Sequence, residues 1–373
     1  MFWILASEAS AYPFFIRHGY DTCAQCHVDP SGGGALTEYG QGQSEILLRT
    51  AYRKRPDDWE PGKIKDFLFG VVPLPESLTL QYDGRGLLIP EPDNARFIAM
   101  QSDLRMQVAL GKVRAYAEAG VVSEGGYGAR ITSRDEGINV VSRQAWLGWD
   151  VSKGVVVRGG RMSLPFGIRS EEHLLYARTA TRTDTNDDGQ FGVAAFAKKG
   201  DLRGEVMGIA GNFQVSPDDF RERGYSAYVG WSPAETLDVG ISSLVTHAEA
   251  DIETLAPRTR QAHGAFVRAA PLTPLAILGE AVVLHDDAPS TGAVGYLQLD
   301  LEPLQGLHVK GTGEWCDDAL SDDASGVVRE SATVLWFLAP HADIRVDALH
   351  GTLYCTPGVD PMWMGLTQFH VFL

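Results

Sequence analysis

The chain has 373 residues, a formal net charge of −16 at pH 7 and 44% hydrophobic residues. The charge argues against a nucleic-acid binder, which needs a basic face, and the composition against a disordered chain. No run of roughly 18 uninterrupted apolar residues occurs, so no transmembrane helix is expected; a β-barrel, which hides charge in its lumen and loops, stays open.

Residues 1–11 come first. Phe2 to Ala6 is apolar and Ala9-Ser10-Ala11 suits a small-residue cleavage site, so this stretch reads as the remnant of an export signal. Residues 12–60 read as a small module built around Cys23-Ala24-Gln25-Cys26-His27. Two thiols at this spacing on one turn can both add to the vinyl groups of a haem, and the following histidine is then its proximal iron ligand. The motif therefore predicts one covalent haem c on Cys23, Cys26 and His27, matured outside the inner membrane. A thioredoxin-like site lacks its βαβ context, and a zinc site lacks a second ligand pair.

Around the motif, Tyr12 to Ile16 offers apolar cover for a porphyrin, with a plain core strand as the ordinary alternative. Gly32-Gly33-Gly34 lets backbone approach a flat ligand or simply makes a flexible turn. Leu36 to Leu48 has loosely helical spacing. The distal iron ligand is not fixed: His18, His173 and His308 are candidates, and an open site is another. A module this short has little core of its own and needs something to lean on. Residues 61–76 read as a linker.

From residue 77 to 373 the pattern alternates with period two. Ser102, Leu104, Met106, Val108 and Leu110 share one face, against Gln101, Asp103, Arg105 and Gln107. Short turns near Gly111, Ser152, Gly200, Ser232, Pro271, Pro303 and Pro340 take turns with longer polar runs, as in bacterial outer-membrane barrels. The segments predict an all-β, antiparallel porin-like barrel of about 16 strands, both ends on the short-turn side. Trp149, Trp231 and Trp336 fall near short turns, as an aromatic girdle requires, and Leu366 to Leu373 reads as a terminal strand.

Several loop features carry weaker chemistry. The run 164–189 is the longest loop and a candidate for folding into the lumen. Within it Asp184, Asp187 and Asp188 offer oxygen ligands for a hard cation, or simply a solvated acidic loop. Cys316 and Cys355 remain outside the haem motif. In an exported chain they are expected to pair as a disulfide between two external loops, or to stay as free thiols. No hydrolase, phosphate-loop or zinc-protease constellation stands out.

With its signal-like start, single early CxxCH, short linker and long porin-like tail, the chain resembles the fused monohaem cytochrome–porins known from iron-oxidising bacteria. The sequence after His27 departs from what the iron-oxidising members suggest, as a separate branch would. The resemblance implies an outer-membrane electron conduit. Its partners would be lipid, a periplasmic electron carrier and an extracellular redox-active metal or small molecule. The alternatives are a solute porin with a structural or regulatory haem, and a haem-based sensor.

Overall fold

The computed structural model describes residues 12–50, 67–90, 95–123, 129–132, 134, 137–170, 172, 174–185, 187–212, 221–287, 291–322 and 325–373. The export-signal stretch, residues 51–66 and His173 lie outside these.

One antiparallel sheet closes on itself. Its strands are β1 (Leu78–Pro90), β2 (Ala95–Leu110), β3 (Val113–Val122), β4 (Asn139–Val141), β5 (Ala145–Ser152), β6 (Val155–Met162), β7 (Gln190–Lys199), β8 (Leu202–Gly211) and β9 (Arg223–Ala234). They continue as β10 (Leu237–Ala248), β11 (Arg258–Leu272), β12 (Leu275–Asp286), β13 (Thr291–Leu304), β14 (Leu307–Asp317), β15 (Gly326–Ala339), β16 (Ala342–Gly351) and β17 (Met362–Phe372). Closure is made by β1 against β17, with Gly86 opposite Phe369.

Seventeen segments make sixteen staves, because β4 and β5 are one stave broken at 142–144. Both pair with β3, and the Glu118 amide donates to the Gln144 carbonyl across the break (3.0 Å). The strand starts agree with the period-two reading to within a few residues. Three turns differ: Ser232, Pro271 and Pro303 lie at strand ends, and the reversals fall at 235–236, 273–274 and 305–306. A proline lacks only its own N–H, so it is tolerated where a ladder is ending.

Burial is inverted relative to a soluble domain. On β14, His308, Lys310, Thr312 and Glu314 are buried, while Val309 and Trp315 are 44% and 41% exposed. On β13, Gln298 and Asp300 are buried and Leu297, Leu299 and Leu301 are exposed. Polar-in, apolar-out alternation is stable only when the outside is lipid. Trp149, Trp231 and Trp336 are exposed at the short-turn end; Phe97, Tyr225, Trp315 and Trp363 are exposed towards the long-loop end. The two sets form the aromatic girdles of an outer-membrane barrel.

The lumen is filled from both ends. From the short-turn side, residues 12–50 enter as two 3₁₀ turns (Pro13–His18 and Cys23–Gln25) and helix α1 (Glu38–Leu47). From the long-loop side, residues 163–189 fold inward and carry a short helix, Tyr176–Thr181. Each insertion is bonded to the wall. Arg17 pairs with Asp300 (2.5 Å) and Glu302 (2.8 Å), Gln81 bonds both the amide and carbonyl of Leu36 (2.8 Å each), and Glu172 pairs with Lys310 (3.0 Å) and Arg345 (2.5 Å). Inward charges that would line water in an open pore are used here to hold protein.

Candidate functional site

The Cys23–His27 turn lies in this packed lumen. Thr22 caps it, accepting from the Ala24 amide (3.4 Å). The amides of Cys26 and His27 both donate to the Cys23 carbonyl (3.1 and 2.9 Å), which winds both thiols and the imidazole onto one turn. The chain then reverses: Gly32 N–H meets the Asp29 carbonyl (2.9 Å), and Val28 N–H meets that of Ala35 (3.0 Å). Leu36 returns beside His27 as an isolated bridge, and Thr37 N–H donates to the Cys26 carbonyl (2.6 Å). Thr37 caps α1 through Gly40 N–H (3.1 Å). A Cβ on Gly40 would stand 2.8 Å from that of Cys26, so the helix can pass over the turn only with glycine there.

Three walls surround the turn. On one side Arg158 of β6 bonds Asp29 (2.5 Å) and also Glu205 of β8. On another, Asp238 binds both Arg203 (2.5 Å) and Arg268 (2.7 Å), and Arg268 also donates to the Asp21 carbonyl. Above it lies the inward loop: Leu164, Phe166 and Ile168 join Val28 and Ala35 in one apolar cluster with Tyr116 and Trp146 of the wall. Those two rings stack at 5.4 Å. Burial, aided weakly by the Asp29 carboxylate, pushes the Cys23 thiol up against the pull of Arg268, Arg203 and Arg169. Burial, aided by Arg105, pushes the His27 imidazole down to about 4, so it is neutral, the form that ligates iron.

Two expectations about the surroundings are corrected. Gly33 and Gly34 approach the wall: a side chain on Gly33 would strike Gln144, and one on Gly34, at φ +73°, would lie 2.8 Å from the Tyr116 ring. Phe14, Phe15 and Ile16 form a 3₁₀ turn that packs on Ala270, Ala276, Leu335 and Phe337, a cluster separate from the one that holds the turn. They seal the short-turn rim, because an apolar triplet at the barrel mouth gains more by covering wall side chains than a lone module could offer it.

The distal candidates are placed as follows. His308 is buried on β14, bonded to Asp300 (3.0 Å) and faced by the Phe14 ring (4.3 Å). His18 lies beside Phe15, and Glu302, Arg17 and His308 are the charges that act on it. The acidic run folds on itself: Asp188 carboxylate accepts from Asp184 N–H (2.9 Å), and that of Asp184 from Asp187 N–H (3.2 Å). Among the described residues no three His, Cys, Asp or Glu side chains converge to hold a metal ion, so Asp184, Asp187 and Asp188 serve a turn. Cys316 and Cys355 are joined as a disulfide between strand end and loop, and neither Cys23 nor Cys26 is in a disulfide.

The residues present fit a c-type haem. Neither thiol is tied up in a disulfide, and both share a turn with a neutral imidazole. Beside them Arg169, only 8% exposed, has no hydrogen-bond partner for any of its three guanidinium nitrogens, as suits a group that carries anionic carboxylates. The wall contributors Gln81, Tyr116, Gln144 and Arg158 escaped the sequence reading. For the strand residues Gln81, Tyr116 and Arg158 an inward position follows from the period-two pattern, but which staves face the turn does not.

A closed sixteen-stave antiparallel barrel with two outward aromatic girdles is the fold of the outer-membrane porins. Solved structures agree on the fold. OmpT of Vibrio cholerae superposes with a TM-score of 0.62 at 11% identity, covering 80% of this chain and 99% of that one. The outer-membrane channel DcaP of Acinetobacter baumannii gives 0.54 at 13% identity, covering 79% and 97%. The anion-selective porin from Comamonas acidovorans gives 0.55 at 11% identity, covering 80% and 99%. No family model matches the chain, and no curated protein does.

Proposed function

We propose that this barrel passes single electrons across the outer membrane through one haem c held by Cys23, Cys26 and His27. The observation that carries the reading is the location of the motif: a CxxCH turn enclosed in the lumen of a barrel, between its wall and its inward loop. The haem supplies reversible one-electron chemistry when bound. Cys23 and Cys26 would hold it, each by adding its S–H across one vinyl group with no leaving group. The chain's own residues do the rest. His27 presents a neutral nitrogen, Arg158–Asp29 fixes the turn to the wall, and residues 12–50 with 163–189 exclude bulk water. One electron arrives from an extracellular donor and leaves to a periplasmic carrier, or runs the other way, as the potentials dictate.

A solute channel is the second reading, favoured by the likeness to barrels described as a channel and an anion-selective porin. One experiment separates them. Outer-membrane vesicles are made from cells expressing the chain with an export signal and a haem-maturation system, and a membrane-impermeant ferrous complex is added outside. Rapid haem reduction that is lost in Cys23→Ala supports the conduit. Reduction only after the vesicles are broken overturns it in favour of the channel.

A further inference from the structure

Arg169 differs from the other buried arginines around the turn. Arg158 has Asp29 and Glu205, Arg178 has Glu280, and Arg203 and Arg268 share Asp238. Arg169 is as deeply buried, yet its Nε and both terminal nitrogens are unbonded. Glu205 and Asp29 are the opposite charges that act on it most strongly, and neither bonds it. Burying a guanidinium without a partner is among the costliest arrangements a protein can hold, and its planar fork is the shape that takes a carboxylate two bonds at a time. The loop that carries it is fixed on both sides. Ile168 N–H donates to Glu280 (2.9 Å), and Tyr176 donates to the Thr352 carbonyl (2.8 Å). Arg169 therefore has little freedom to swing out to solvent. Its charge also reaches Cys23, as do those of Arg203 and Arg268.

We propose that Arg169 receives a carboxylate from outside the polypeptide, namely a propionate of the haem attached at Cys23 and Cys26. The assignment rests on the haem reading above and adds what the inward loop does in it: the loop delivers the cation that neutralises the cofactor. A propionate charge favours the ferric state, so pairing it with Arg169 raises the haem potential and keeps the propionate ionised across neutral pH. The same fork chemistry also fits a soluble carboxylate in the lumen, and the test distinguishes the two.

The test uses the full haem-loaded barrel and its Arg169→Gln and Arg169→Lys variants, each first checked for a folded, heat-modifiable band. The midpoint potential is titrated spectroscopically from pH 5 to pH 9. Expected is a downward shift in Arg169→Gln, with a potential that now falls as pH rises through the range in which the unpaired propionate titrates. Arg169→Lys should recover part of the shift. A potential and pH profile unchanged in Arg169→Gln overturn the proposal while leaving the haem reading intact. A native chain that takes up no haem overturns both. Thermal unfolding is then followed with added acetate. Stabilisation of the Cys23→Ala/Cys26→Ala barrel alone, lost on adding Arg169→Gln, supports the propionate as the usual occupant. Equal, Arg169-dependent stabilisation of the loaded barrel assigns the fork to soluble carboxylates and overturns the propionate.

Discussion

Arg158, on the barrel wall, and Asp29, two residues past the CxxCH motif, form an ion pair at 2.5 Å in which both side chains are at most 1% exposed. Asp29 also accepts from the amide and hydroxyl of Ser31 (2.7 Å each), so it organises the reversal that returns the chain past His27. The pair thus joins the fold of the turn to its docking. Removing one partner of a buried pair leaves the other charge uncompensated, at a cost of about 3–5 kcal/mol. Arg158→Ala should loosen residues 12–50, read as faster proteolysis from the short-turn side and lost amide protection at 23–37. Asp29→Asn in the same chain should return part of that loss. Equal protection in the single variant and the native chain would remove the pair from the docking account.

The two insertions predict electrical behaviour. With residues 12–50 and 163–189 bonded inside the lumen, the intact barrel should conduct far less in a planar bilayer than an open barrel of sixteen staves, whose lumen holds an aqueous channel. Arg17→Ala breaks the pairs to Asp300 and Glu302 and should raise the frequency of open events. Steady porin-like conductance from the native chain would instead favour the solute channel.

The lipid face predicts a depth-dependent penalty. Leu297 is 53% exposed near the middle of β13, between Tyr296 and Gln298, which are buried. Leu297→Arg should lower stability in vesicles by roughly 2–4 kcal/mol, whereas the same change at Leu304, close to the short turn, should cost about 0–1 kcal/mol. Urea titration of folded fraction measures both. Equal penalties would place the membrane boundary elsewhere.

Asp188 predicts a pH effect in the inward loop. Burial, with Asp184 next in importance, raises its carboxyl to about 8. The folded state thus holds a proton that an unfolded Asp, near 3.9, releases. Its contribution to stability is complete below about pH 4 and declines as pH rises to about 8. Asp188→Asn, neutral at every pH, should flatten the fall in thermal stability over that window. A slope identical in variant and native chain would take the effect away from this residue.

Much of the barrel could be read from the sequence because a strand exposes its logic locally. Alternation of Gln298 and Asp300 with Leu297, Leu299 and Leu301 needs no knowledge of any distant residue. Turn residues mark the reversals for the same reason. Where a turn residue also tolerates a strand end, as at Pro271 and Pro303, the boundary moved by two or three positions. The break at 142–144 was hidden, since β4 and β5 keep a common partner in β3 and the pattern runs on.

The sequence by itself determined the polar-in, apolar-out barrel and the placing of Cys23, Cys26 and His27 on one turn, because both depend on residue type at short, fixed spacing. Only the tertiary structure decided what surrounds that motif. Barrel closure brings β6, β8 and β11 around the turn. The inward loop then brings Arg169 above it, and both are contacts across a hundred residues or more that leave no local trace. It also decided that the phenylalanines at 14 and 15 seal a rim, that the glycines at 33 and 34 meet Gln144 and Tyr116, and that His308 is committed to Asp300. Each is a competition among long-range partners for one side chain, and its outcome depends on which walls the closed sheet sets face to face.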